Sequence, residues 1–340
     1  MANRKRNMKS ESSVVNELME IRNLRTYFYT VDGVIKAVDD ISYDVARGEI
    51  VGLVGESGCG KSVTALSIMG LISDPPGRII GGEVLFEGRD LLKLDKEAIR
   101  QVRGREIAMV FQEPMTSLNP VLTVERQLTE ALEEHMGMTR SAAIKRAGDL
   151  LVRVGIPNPE RQLRQYPHQF SGGMRQRLMI AIAISCNPKL IIADEATTAV
   201  DVTIQAQILE LLKSLTKEAG MGLILITHNL GVVARYADRA NVMYAGRIIE
   251  CGGVRDIYRH TAHPYTMGLL RSVPRLDVPK KERLDPIEGQ TPDLADLPLG
   301  CAFYKRCRYA IEICASEYPP LASLGDGHQS TCWLSEKLER

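Results

Sequence analysis

The chain has 340 residues, more than one minimal core needs, and its 44% apolar and 25% charged residues fall in the ordinary globular range. A formal net charge of +1 supplies no global basic field to attract nucleic acid. No apolar run approaches the ~18 residues of a spanning helix, so the chain is not expected to cross a membrane itself.

In chain order, residues 1–16 carry Arg4, Lys5, Arg6 and Lys9, followed by serine and glutamate. They lack the apolar stretch of a secretory signal and read as a disordered cytosolic tail. A reducing compartment disfavours a disulfide framework for the seven cysteines. From Ile21 to Val45 apolar and polar residues alternate around a turn at Asp32-Gly33, the pattern of antiparallel strands. Glu49 to Gly55 is a short apolar run, a buried strand, and Lys61 to Leu71 reads as the helix after it. Glu106 to Phe111 is a second buried strand.

Residues 113–186 turn helical, with Ile144, Ala147, Leu151 and Val154 on one face. Leu190 to Asp194 is a strand ending in acids. Ile204, Ile208, Leu212 and Leu215 mark the next helix, and Gly222 to Thr227 is a strand leading to His228. Strands alternating with helices imply a mostly parallel sheet covered on both faces, with the helical stretch as a long insertion. Five prolines between Val273 and Gly300 (274, 279, 286, 292 and 298) exclude a regular helix or central strand and suggest an extended linker. The remaining segment, 301–340, holds four of the seven cysteines and is too small for a self-sufficient core without a metal or crosslink. No sequence repeat is seen.

Gly55-Glu-Ser-Gly-Cys-Gly-Lys61-Ser62 matches the phosphate-loop pattern and lies between a strand and a helix, the context that gives the pattern meaning. Its glycines let main-chain N–H groups curl around phosphate oxygens, and the helix start adds a positive dipole end. Gly55, Ser57, Gly58, Cys59, Gly60, Lys61, Ser62 and Val63 form the expected nucleotide cradle. Lys61 would reach the β and γ phosphates, and Ser62 would hold Mg²⁺. Asp194 and Glu195 end a buried strand, where two acids are costly unless they work on a cation or a water. Asp194 suits Mg²⁺. Glu195 suits the water that attacks the γ phosphate.

With these motifs the chain resembles the ATP-binding cassette family. Phe170-Ser-Gly-Gly-Met-Arg-Gln176 looks like the family signature, Gln112 like the Q-loop glutamine, His228 like the switch histidine, and Ala199-Val-Asp201 like the D-loop. Phe28 best matches the aromatic that stacks on adenine, with Tyr27 and Tyr29 as rivals. The likeness covers about Leu18 to Arg271. It implies an α/β phosphate-loop NTPase core with an antiparallel β subdomain and a helical insertion at about 113–186, all within 17–272. The 273–300 linker and the cysteine-rich 301–340 segment follow. Gln112-Glu-Pro-Met-Thr-Ser-Leu-Asn-Pro120, Tyr166 to Arg177, His263-Pro-Tyr-Thr266 and the C-terminal cysteines look like the dipeptide/oligopeptide importer branch, whose relatives import nickel or glutathione. Ala196, Val200 and Asn229 depart from the family's usual proline, leucine and aspartate, and none removes a catalytic group.

The resemblance implies ATP held between two cassettes. Ser171, Gly172 and Gly173 of one chain, with Asp201, face the γ phosphate bound by the other. Gln112 would also touch Mg²⁺, and Glu195, His228 and Lys61 would act in hydrolysis. The implied partners are a second, homologous ATPase subunit in a heterodimer, two transmembrane permeases and an extracytoplasmic peptide-binding protein. No nucleic acid is implied, and the place is peripheral, at the cytoplasmic face of the cell membrane. Soluble cassettes of translation or DNA repair are the competing class. They carry two cassettes per chain or a long coiled coil, and neither feature is present. Cys301, Cys307, Cys314 and Cys332 are separated by five, six and seventeen residues. That spacing contains no C-x-x-C and matches no ferredoxin run, but four thiolates in a small segment of a reducing compartment suit Zn²⁺ or a [4Fe–4S] cluster, and the branch resemblance favours the cluster. Cys59, Cys186 and Cys251 read as small core or loop residues, and His168, His260 and His263 as packing or solvent-facing.

Overall fold

Alternation builds the first layer. Strand β1 (Glu17–Thr30) turns through Val31 and Asp32 into antiparallel β2 (Gly33–Ala46), and Leu18, Ile21, Leu24, Val38, Ile41 and Val45 are buried on the inner side. The computed structural model describes residues 17–196, 201–272 and 286–338. The expected tail at 1–16 lies outside them, as do Ala199 and Val200 and the first part of the proline-rich stretch.

Strand β3 (Ile50–Val54) is buried along its whole length, and helix α1 (Lys61–Ile68) follows the phosphate loop. That helix stops before Leu71, where the sequence pattern would have carried it. Hydrogen bonds from Gly70 N to Ser67 O and from Leu71 N to Leu66 O close its last turn. Next come β4 (Gly77–Phe86), β5 (Arg89–Asp90), α2 (Lys96–Val102) and β6 (Ile107–Val110). Phe111, expected at the end of β6, is exposed instead.

The helical stretch contains α3 (Pro114–Ser117), α4 (Val124–Met136), α5 (Arg140–Arg153), α6 (Pro159–Leu163) and α7 (Gly172–Ala183). Ala143, Ala147, Leu150 and Leu151 are the buried face of α5, close to the face its periodicity predicts, while Val154 caps it. Strand β7 (Leu190–Asp194), helix α8 (Val202–Ala219) and strand β8 (Gly222–Thr227) match their expected positions. Then come α9 (Leu230–Tyr236), β9 (Arg239–Tyr244), β10 (Arg247–Gly253), α10 (Val254–Arg259), α11 (Pro264–Arg271), α12 (Ile313–Ser316), β11 (Ala322–Gly325) and β12 (His328–Ser330).

Two sheets result. The smaller runs β2-β1-β4-β5 and is antiparallel. The larger runs β11-β12-β10-β9-β3-β8-β7-β6. Strands β3, β6, β7, β8 and β9 pair in parallel, and β10, β11 and β12 add an antiparallel edge. The phosphate loop leaves the carboxyl end of β3, between β8 and β9. Strand order reverses there, the position where open α/β sheets bind ligands.

The C-terminal segment, expected to be too small for a self-sufficient core, shares an apolar cluster with the cassette. Its β12 pairs with β10 and so continues the main sheet. Buried Glu250 anchors the join by accepting hydrogen bonds from Ala262 N at 2.7 Å and His263 N at 3.1 Å, and it pairs with His328 Nε2 at 2.9 Å. Residues 286–300 have no helix or strand, as their prolines require, yet Ile287, Leu294 and Leu297 pack on the same apolar cluster as Tyr244, Tyr265 and Phe303. The stretch is thus a strap against the cassette, because its few apolar side chains find a ready surface there.

Candidate active site

The phosphate loop is tightly enclosed by its neighbours. A Cβ on Gly55 would stand 2.2 Å from the Met243 carbonyl oxygen, and one on Gly60 2.1 Å from the Ala37 carbonyl oxygen. Lys61 opens α1 and is buried. Its ammonium donates to the carbonyls of Gly55 at 2.8 Å and Glu56 at 2.9 Å, so it lies curled inside the loop. Within the loop, Cys59 is buried. Burial raises its thiol pKa, so it serves as a small apolar wall.

The Ser62 hydroxyl donates to Asp194 Oδ1 at 3.0 Å across from the end of β7. Burial raises the Asp194 carboxyl pKa, the Glu195 charge adds to the rise, and the Ser62 hydrogen bond opposes it. A buried carboxylate beside a hydroxyl is the oxygen donor set that suits Mg²⁺, whose charge would offset this desolvation.

Glu195 lies just past β7 with φ +44°, a backbone region that non-glycine residues seldom occupy. Its N–H donates to the Ile226 carbonyl of β8 at 3.0 Å. Its carboxylate accepts from Gln112 Nε2 at 2.9 Å and lies 3.4 Å from His228 Nδ1. Three residues predicted from separate motifs therefore meet at one carboxylate. Ala37, Ser57, Gly58, Gly60, Lys61, Ser62, Val63, Gln112 and Glu195 line one cleft.

Other predicted residues lie apart. Ser171 caps α7 by accepting from Met174 N at 3.4 Å, and Gly172 and Gly173 form its first turn; Ser171 and Gly172 are exposed. Asp201 caps α8 by accepting from Thr203 N and Ile204 N, both at 3.0 Å. None of these four lines the cleft. Phe28 is half-buried in β1, paired with Ile35 of β2 and Gly77 of β4, and also lies outside the lining. Tyr27 is committed elsewhere, since its hydroxyl donates to Asp39 at 2.6 Å, whereas Tyr29 is exposed. Asn229, at the family's usual aspartate, caps α9 by accepting from Gly231 N at 2.8 Å. Buried His263 caps α11 through Nδ1, and burial pushes its pKa down to about 3, which keeps it neutral. His168 stacks on Tyr166, and His260 lies near Asp256.

The four tail cysteines line one cavity together with His263, Phe303 and Trp333. Burial, with neighbouring thiols adding to it, pushes Cys301 up to about 12 and Cys332 up to about 11. Among the described residues, however, no group of three or more His, Cys, Asp or Glu side chains is gathered closely enough to hold a metal ion. The structure brings these sulfurs around a common space without drawing them into a ligand set.

Sequence reasoning passed over the walls of the loop. Thr291, Pro292 and Leu294 line a recess with Glu56, Ser57, Gly58 and Cys59, and the Tyr265 hydroxyl accepts from Glu56 N at 2.8 Å. The one available signal was the acid Glu56 inside a phosphate-binding turn.

The family described as ABC transporter matches residues 38–198, and the one described as the C-terminal region of oligopeptide/dipeptide transporters matches 249–314. The dipeptide transport ATP-binding protein DppD of Bacillus subtilis is 50% identical over 323 residues, 95% of this chain and 96% of that one. The oligopeptide transport ATP-binding protein OppD of the same organism is 51% identical over 320 residues, 94% of this chain and 89% of that one. Among solved structures, a dimeric ATP-binding cassette in a post-hydrolysis state with ADP and phosphate is similar with a TM-score of 0.63 and 28% identity. That match covers 70% of this chain and 99% of the other.

Proposed function

The chain belongs to the ATP-binding cassette transporter family, and from that premise we propose that it is the ATP-hydrolysing subunit of a di- or oligopeptide importer. The observation that carries hydrolysis is the meeting of Gln112 and His228 at Glu195, beside Lys61 and Ser62. Lys61 and the loop N–H groups hold the phosphates. Glu195 orients the attacking water, and His228 braces the γ phosphate as charge develops on it. Mg²⁺, held through Ser62 and Asp194 with Gln112 at its edge, would supply neutralisation of the phosphate charge.

Ser171, Gly172, Gly173 and Asp201 stand outside this chain's own cleft, which favours their serving a nucleotide on a second cassette. The similar cassette is itself described as dimeric. A distinct homologous ATPase completes the pair, two permeases carry the substrate path, and an external binding protein delivers the peptide. Among the described residues no helix is long and apolar enough to cross a membrane. The chain is read as peripheral, attached through the permeases at the cytoplasmic face, a reading supported by its likeness to peptide-transport ATP-binding proteins. The peptide branch is supported by likeness that runs past the cassette into the C-terminal region.

A strain lacking this chain is expected to lose uptake of labelled di- and tripeptides, with recovery from the wild-type gene and none from Lys61→Ala. Normal peptide uptake with lost nickel or glutathione uptake would move the chain to a sister branch. Wholly unaffected uptake of all three would leave a non-transport cassette.

We also infer that Cys301, Cys307, Cys314 and Cys332 hold a [4Fe–4S] cluster, supported by four thiol donors around one cavity. These four thiols would hold the cluster as thiolates, which would require them to lose their protons and their sulfurs to come closer together. Protein purified without oxygen is expected to contain about four irons per chain and to absorb in the visible range. Zinc without iron would replace the cluster with a structural zinc, and neither metal would remove the site.

A further inference from the structure

We propose that Arg306 is a positioning residue for the phosphate loop, holding and neutralising the single carboxylate the loop carries, so that nucleotide affinity depends on the C-terminal segment. The loop from Gly55 to Ser62 contains one acid, Glu56, and no other charged residue but Lys61. An anion built into a phosphate-binding turn opposes its own ligand unless something cancels it.

Glu56 is pinned at three points. Its N–H donates to the Tyr265 hydroxyl at 2.8 Å, its carbonyl accepts from Lys61 Nζ at 2.9 Å, and its two carboxylate oxygens accept from Arg306 at 2.6 and 2.9 Å. The last contact is a fork-to-fork pair, which fixes direction as well as charge. It joins residues 250 positions apart.

Arg306 is itself held rigidly. Its side chain is only 7% exposed, Nε donates to the Glu288 carbonyl at 3.1 Å, and Nη1 donates to the Tyr244 hydroxyl at 3.3 Å. The guanidinium lies 5.9 Å from the ring centroids of both Tyr244 and Phe303. Lysine could supply the charge at this place but not the planar fork. Arg306 is the residue before Cys307, so the loop reads the conformation of the cysteine-bearing segment directly.

The charge argument makes the two partners unequal. Removing Arg306 leaves a bare carboxylate beside incoming phosphates. Removing the Glu56 charge frees a buried cation beside them, which attracts the nucleotide although the fold loses a pair. A purely structural tie would weaken binding from either side.

This inference rests on the loop being the nucleotide site. The test is direct titration of the full-length chain with a fluorescent ATP analogue and Mg²⁺, with thermal melts to follow folding. Arg306→Gln is expected to weaken binding on the order of tenfold, Glu56→Gln to tighten it about threefold, and the double variant to return within about threefold of wild type. Unchanged affinity in Arg306→Gln, or a double variant as weak as Arg306→Gln alone, overturns the proposal. Where Arg306→Gln melts below the assay temperature, Glu56→Gln decides: tighter binding supports the idea and weaker binding overturns it. A wild-type chain that binds no analogue would instead remove the nucleotide reading of the loop itself.

Discussion

Glu195→Gln is expected to leave ATP binding in place and to lower turnover by about 10²–10⁴-fold, the span that a positioned base contributes. The amide matches the carboxylate in size. The proposed phosphate loop does not include position 195, and the main-chain bond from residue 195 to Ile226 is kept. What goes is the anion proposed to act on the attacking water. Two neighbours sharpen the expectation, because Gln112 Nε2 and His228 Nδ1 approach opposite oxygens of the same carboxylate, at 2.9 and 3.4 Å. They fix its direction, so the lost function is chemical rather than conformational. Phosphate release under saturating ATP, measured with the partner ATPase and permeases present, gives the rate, and analogue titration gives the affinity. Turnover equal to wild type would place the base elsewhere.

Gly60→Ala is expected to destroy nucleotide binding and to destabilise the fold by about 2–4 kcal/mol, through two effects that add. The backbone at Gly60 has φ +110°, where an L side chain is strained. The added methyl would stand 2.1 Å from the Ala37 carbonyl oxygen, and that atom belongs to the adjoining β2 rather than to a movable side chain. Relief requires the loop to lift from the sheet and take Lys61 with it. Gly58 is the internal comparison, since it also has positive φ, at +80°, but a Cβ there meets nothing within 4 Å. Gly58→Ala is expected to cost only about 1 kcal/mol. Urea unfolding of the two variants measures the difference. Equal midpoints would show that contact with Ala37 does not constrain the loop.

Strands β7 and β8 were legible residue by residue, because a strand buried on both faces is apolar through its middle and both are short apolar runs with polar residues only at their ends, Asp194 and Thr227. The helical face of α5 was legible for the same kind of reason, as its period is written in neighbouring residues. The hairpin of β9 and β10 was passed over although Ala245-Gly246 marks its turn, since its residues lack clean alternation. Strands β11 and β12 are only four and three residues long, too short to carry a period at all.

What the sequence determined by itself was the phosphate-loop motif, the acids ending β7 and the family order of the motifs, because each is written in adjacent residues and needs no distant partner to be read. Only the tertiary structure decided that the tail continues the main sheet through β12, that the proline-rich strap packs beside the loop, and that Arg306 reaches Glu56. Such pairings join residues tens to hundreds of positions apart. Burial and charge complementarity select them only after the chain has closed on itself, and no local pattern records the choice.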